Sequence, residues 1–137
     1  MLPVDATTIR LFLHVVAAAV WVGGQIALAG IVPVARRLGG NEMTRAVARR
    51  FQLIAWPAFA VLLATGVWNL FAVKIGDQSG EYLTTLLVKL LLVAVSGACA
   101  VAHIVVARTR PAVGGALAVL ALLAALGATF FGVVLAG

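Results

Sequence analysis

The chain has 137 residues, 64% of them hydrophobic and 10% charged, with a net charge of +6 and a mean hydropathy of +1.18. So few charges on so apolar a chain exclude a soluble domain. The lone cysteine, Cys99, excludes an internal disulfide.

A helix needs roughly 20 apolar residues to cross a hydrocarbon core, and the chain offers four such stretches. The first, at about 8–34, has no acid or base between Arg10 and Arg36, and Pro33 is expected to help stop it. Ala27-Leu28-Ala29 ahead of Gly30 resembles a signal-peptide cleavage site. The segment before it carries Asp5 and an apolar run too long for a signal core, so the helix is read as retained. Gly39-Gly40-Asn41 breaks the chain, and residues 43–50 form a basic, helix-prone run expected to lie at the membrane surface. The second span covers about 51–73, with a kink expected at Pro57. Residues 75–80 read as a turn. The third span, about 82–107, carries Lys89 and His103. The fourth, about 112–136, is rich in alanine and glycine, small residues that let neighbouring helices approach closely. Short connections make sequential helices antiparallel neighbours. The predicted architecture is an all-α integral membrane protein, an antiparallel up-down bundle of four transmembrane helices in a single domain over 1–137.

The positive charge has a topological meaning. Arg36, Arg37, Arg45, Arg49 and Arg50 crowd the first connection against Glu42 alone, and Arg108 and Arg110 occupy the third. Lys74 meets Asp77 and Glu81 in the second, and Arg10 meets Asp5 near the N-terminus. The positive-inside rule places the first and third connections in the cytoplasm and both termini outside, in the cell membrane. The expected partners are the lipid bilayer and a second copy of the chain or a membrane redox protein. Nucleic acid is not among them.

Polar groups inside apolar helices are costly and point to function. Arg10, His14, Trp21 and Gln25 share one face of the first span, and Thr85, Lys89, Ser96 and His103 share one face of the third. Both stripes are expected to point inward. With a rise of about 1.5 Å per residue, His14 lies about 5 Å, Asn69 about 6 Å, Lys89 about 10 Å and Thr129 about 12 Å from the outer ends of their spans. His103 falls near the opposite end, more than roughly 20 Å from His14 along the bundle, so the two histidines do not share one metal. Cys99 is expected to pack as a small residue. Trp56, Trp68 and Tyr82 read as interfacial anchors, and Trp21 as packing or the wall of a ligand pocket.

The segment LHVVAAAVWVGGQ, from Leu13 to Gln25, resembles the first-helix signature of the CopD copper-resistance membrane family, a histidine followed by Trp-x-Gly-Gly. RRFQLIAWPAFAVLLATGVWNL (Arg49 to Leu70) and LLVKLLLV (Leu86 to Val93) resemble that family's next helices. The layout is also similar to that of the HemJ-type protoporphyrinogen oxidases. The resemblance covers about residues 10–107. It implies that His14 is a metal or haem ligand and that Trp21, Gly23, Gly24, Gly66 and Lys89 match later positions of the pattern. The chain lacks the extra helices of the larger CopD proteins. If it is an enzyme, the resemblance implies a haem-dependent membrane oxidoreductase.

Copper transport calls for a path of soft ligands, and the chain offers only Met1, Met43 and Cys99, none at the depth of His14. A haem site needs an axial histidine, a cleft and cations for the propionates. The expected cofactor site is therefore His14 as ligand, Arg10 and Lys89 as propionate partners, and Trp21, Gly24 and Asn69 around them. Haem is the expected cofactor and copper the alternative. A third reading is a structural subunit whose polar groups only hydrogen-bond across helices. No nucleophile–base set or carboxylate pair points to hydrolysis.

Overall fold

The computed structural model describes residues 1–137 and is all-helical. Helix α1 spans Ala6–Ala72, a 3₁₀ turn follows at Ile75–Asp77, and α2 (Gly80–Val106) and α3 (Pro111–Ala136) complete the chain. All three α-helices are long and apolar enough to cross a membrane. Large apolar side chains such as Leu53, Phe71, Val105, Phe130 and Val133 cover their exposed faces. The buried positions hold mostly alanine, glycine, serine and threonine. This is the distribution expected where the surroundings are lipid and helices pair through small residues.

The chain divides into two compact units, Met1–Ile75 and Gly76–Gly137, with the division at the predicted turn. The first unit is α1 folded back on itself. Asp5 caps its start, accepting from the Thr8 backbone N–H and hydroxyl, both at 2.8 Å. The helical backbone fails at one residue, Gly40, with φ 62° and ψ −152°. That region is essentially restricted to glycine, which explains why the reversal occurs here. The residues that meet across the reversal lie at nearly equal distances from Gly40: Arg10 with Trp68, His14 with Thr65, Trp21 with Phe59. The result is a pair of antiparallel helical arms.

One expectation is corrected in this unit. Pro33 does not stop the first helix, which continues to Gly39. Proline is tolerated inside apolar helices whose neighbours supply packing, and Ala35, just beyond it, is buried. Residues 43–50 are helical, as expected, and lead into the second span. They are the opening turns of the second arm, which runs without a break from Asn41 to Ala72. The backbone keeps helical dihedrals at Pro57 as well. The arm ends at Val73, whose N–H bonds to the Asn69 carbonyl at 3.1 Å, and at Lys74, which takes a left-handed φ of 50°.

In the second unit Ser79 caps α2 by accepting from the Tyr82 N–H at 3.2 Å. Pro111 opens α3 at the first helical position, where its missing N–H costs nothing. The two helices pack antiparallel along Gly114, Ala121, Ala124, Ala125 and Ala128 of α3, all buried. The Ser96 hydroxyl donates to the Ala121 carbonyl at 2.8 Å, and His103 Nδ1 donates to the Gly114 carbonyl at 2.7 Å.

Candidate functional site

The predicted polar face of the first span is real within the first unit. Arg10, His14 and Trp21 all turn toward the second arm of α1. His14 Nδ1 lies 2.9 Å from the Thr65 hydroxyl oxygen. That hydroxyl already gives its one hydrogen to the Val61 carbonyl at 2.7 Å, with Leu62 O at 3.2 Å. Thr65 can therefore only accept from the ring, so the proton of neutral His14 sits on Nδ1 and the lone pair on Nε2. Thr65 itself is buried. Gly66 stands beside the ring, with His14 Cε1 3.7 Å from the place a Cβ would occupy.

One turn from His14 toward the N-terminus, the Arg10 guanidinium carbon lies 6.0 Å from the centre of the Trp68 ring, a cation–π distance. Arg10 Nε is buried and has no hydrogen-bond partner. An unpaired donor held in such a place is expensive, and an anionic acceptor is what it would best donate to. Asn69, half-buried, follows Thr65 by one turn on the same arm.

Toward the reversal the face becomes aromatic. Trp21 is buried, with its ring centre 4.4 Å from Phe59 and 5.5 Å from Trp56. Gln25 folds back along its own helix and donates to the Trp21 carbonyl at 3.1 Å. The space beside Gly24, a residue of the expected cofactor site, is taken by the Phe51 ring, whose edge stands where a Cβ would be. Gly23, by contrast, has nothing within 4 Å of its Cβ position.

Lys89 belongs to the second unit. It is half-buried, and its Nζ lies 3.3 Å from the Cβ position of Gly132 on α3, so the missing side chain of Gly132 makes room for the ammonium. Ser96 and His103 of the same stripe are bonded to carbonyls of α3. Thr85 bonds back to Glu81 of its own helix at 2.9 Å. His103 is thus a clamp between α2 and α3. No group of three or more His, Cys, Asp or Glu side chains is placed to hold a metal ion, so a metal at His14 would need ligands from its own cofactor.

The sequence places Thr65 with Asn69 on a small polar face of the second span but does not single it out as the partner of His14. A threonine four residues before an asparagine marks only a weak polar face, and Asn69 was the residue nearest in depth. The chain matches no family model, no curated protein and no solved structure.

Proposed function

We propose that the chain crosses the bilayer four times, once with each arm of α1 and once each with α2 and α3, as a CopD-like membrane protein that carries haem on His14. Both termini lie outside and the basic reversal around Gly40 lies in the cytoplasm, since seven of the ten basic residues then fall on the inner side.

The observation that carries this reading is the hydrogen bond from His14 Nδ1 to Thr65. Metal-ligating histidines almost always donate their second ring N–H to a fixed acceptor, which selects the tautomer and orients the ring. The buried, unpaired Nε of Arg10 supports the same reading, because a haem propionate would satisfy it. The donor set favours haem over copper. Among the soft ligands, Met43 packs at Gly39 near the reversal, Met1 is fully exposed, and Cys99 lies in the second unit. Bound haem would supply one-electron chemistry. The chain's own residues would hold it, with His14 oriented by Thr65 as the ligand and Arg10 as a partner for a propionate.

Absorption spectroscopy of the protein purified after haem supply tests the proposal. A Soret band is expected, lost in His14→Ala and kept in His103→Ala. A colourless protein that binds stoichiometric copper through His14 replaces haem with copper. Binding of neither returns His14 to a packing role. Reporter fusions after Val47 and at Gly137 are expected on opposite sides of the membrane.

A further inference from the structure

The continuity of the second arm aligns the arginines at its start with residues of the apolar stretch that follows. Arg45, Arg49, Gln52, Leu53, Trp56 and Pro57 follow one another at steps of three and four residues or pair within one turn, and so share a face of a single helix. Arg49, Gln52, Leu53, Trp56 and Pro57 line an open groove of about 510 Å³. That falls within the range of ligand-sized sites, roughly 300–1,000 Å³.

Chemistry changes along this groove. Its upper end, toward the reversal, has the Arg49 guanidinium, with Arg45 one turn farther. Next comes the Gln52 amide. The rest is apolar: Leu53, 68% exposed, then Trp56 and Pro57. Five arginines stand within this end of the hairpin against one acid, Glu42. A face that passes from cation through amide to hydrocarbon over three turns follows the same order as a phospholipid, from phosphate through glycerol to acyl chain.

We propose that this groove binds an anionic phospholipid. The phosphate sits at Arg49 and Arg45, the glycerol region at Gln52, and an acyl chain lies along Leu53, Trp56 and Pro57. Charge complementarity selects the occupant: an anionic headgroup is drawn to juxtamembrane arginines, and basic pockets at helix ends recognise such headgroups. The site rests on residence in the bilayer and not on a cofactor at His14, so the two proposals fail independently.

Native mass spectrometry of the full chain released from nanodiscs of equimolar phosphatidylglycerol and phosphatidylcholine tests it. One phosphatidylglycerol is expected to stay bound in preference to phosphatidylcholine. R45Q/R49Q is expected to lower its retention by about fivefold for each arginine removed. R36Q/R37Q, which removes the same charge from the other arm, is expected to keep it. Gln52→Trp fills the groove with every arginine in place and is expected to displace the lipid, with circular dichroism checking that each variant remains helical. Equal retention of both lipids overturns the site. So does equal loss in the two arginine pairs, which would mean diffuse attraction, or full retention in Gln52→Trp.

Discussion

The two helical pairs solve the same packing problem in opposite ways. In the first unit the arms of α1 are joined by side chains: the rings of Trp21, Trp56 and Phe59 meet edge to face or tilted, and the Phe51 ring fills the space at Gly24. In the second unit the helices are joined nearly backbone to backbone, along buried alanines and Gly114, with Ser96 and His103 donating directly to carbonyls of α3. The histidines show the difference most clearly. Both carry the proton on Nδ1. His103 gives it to a main-chain carbonyl that any residue would offer, whereas His14 gives it to a threonine that one substitution removes. Backbone contact makes a rigid clamp, and side-chain contact makes a site that can be tuned.

The largest effect that tests this contrast is steric. A Cβ at Gly114 would stand 2.7 Å from Ala107 Cα, and backbone cannot rotate aside. Gly114→Ala is therefore expected to cost about 1–3 kcal/mol of stability, as overpacking does elsewhere. Gly23→Ala in the first unit meets nothing and is expected to gain up to about 1 kcal/mol from helix propensity. Thermal or denaturant unfolding in detergent checks both, and equal costs would erase the distinction.

Next comes Thr65→Val, which keeps the shape beside His14 and removes the acceptor. Haem affinity is expected to fall about 10–100-fold, the usual consequence of losing the group that orients a ligating histidine. Thr65→Ser is expected to retain most of it. Haem titration followed in the Soret region gives the ratio, and an unchanged affinity in Thr65→Val would detach Thr65 from the site.

Ser96→Ala should have a smaller effect. Interhelical hydrogen bonds in membrane proteins average about 0.6 kcal/mol, so a loss of that order is expected in the unfolding free energy, with no change in any visible spectrum. The smallest effect lies at Asp5, whose carboxyl is held below its ordinary value of 3.8, first by the Thr8 backbone N–H and then by the Thr8 hydroxyl. A depressed folded-state pKa stabilises the cap above pH 3.8 and loses that stabilisation as pH falls through the lower, folded value. Protection of the Thr8 and Ile9 amides, taken relative to the free-chain exchange rate at the same pH, is expected to fall only below pH 3.8, and Asp5→Asn is expected to flatten that dependence.

Much of this was legible in the sequence. Uninterrupted apolar runs predict long helices, and spacings of four and seven predict which polar residues share a face. Gly39-Gly40 marks the reversal. The register across it was not legible. Depths counted from span ends set His14 level with Asn69, while the structure pairs it with Thr65, one turn away. The cause is the helix running through Pro33 and resuming at once at Asn41. The arms are therefore aligned by the single residue Gly40 and not by the ends of the apolar runs. The carbonyl partners of Ser96 and His103 left no trace either, because a main-chain acceptor is identical at every position.

The reversal at Gly40 also has a consequence for length. At about 1.5 Å per residue each arm of α1 is roughly 50 Å long, while a hydrocarbon core is about 30 Å thick. If each arm crosses the bilayer as proposed, upright arms would leave some 20 Å of helix outside the core. On that reading the arginines would set which end protrudes, since Arg36, Arg37, Arg45, Arg49 and Arg50 all lie near the tip. The hairpin would therefore rise as a stiff, basic post through the headgroup layer, with no slack loop to absorb a change in membrane thickness. A thinner or thicker bilayer would then be met in part by tilting the post, and the height of Arg36 and Arg37 above the surface would become a gauge of the lipid around them.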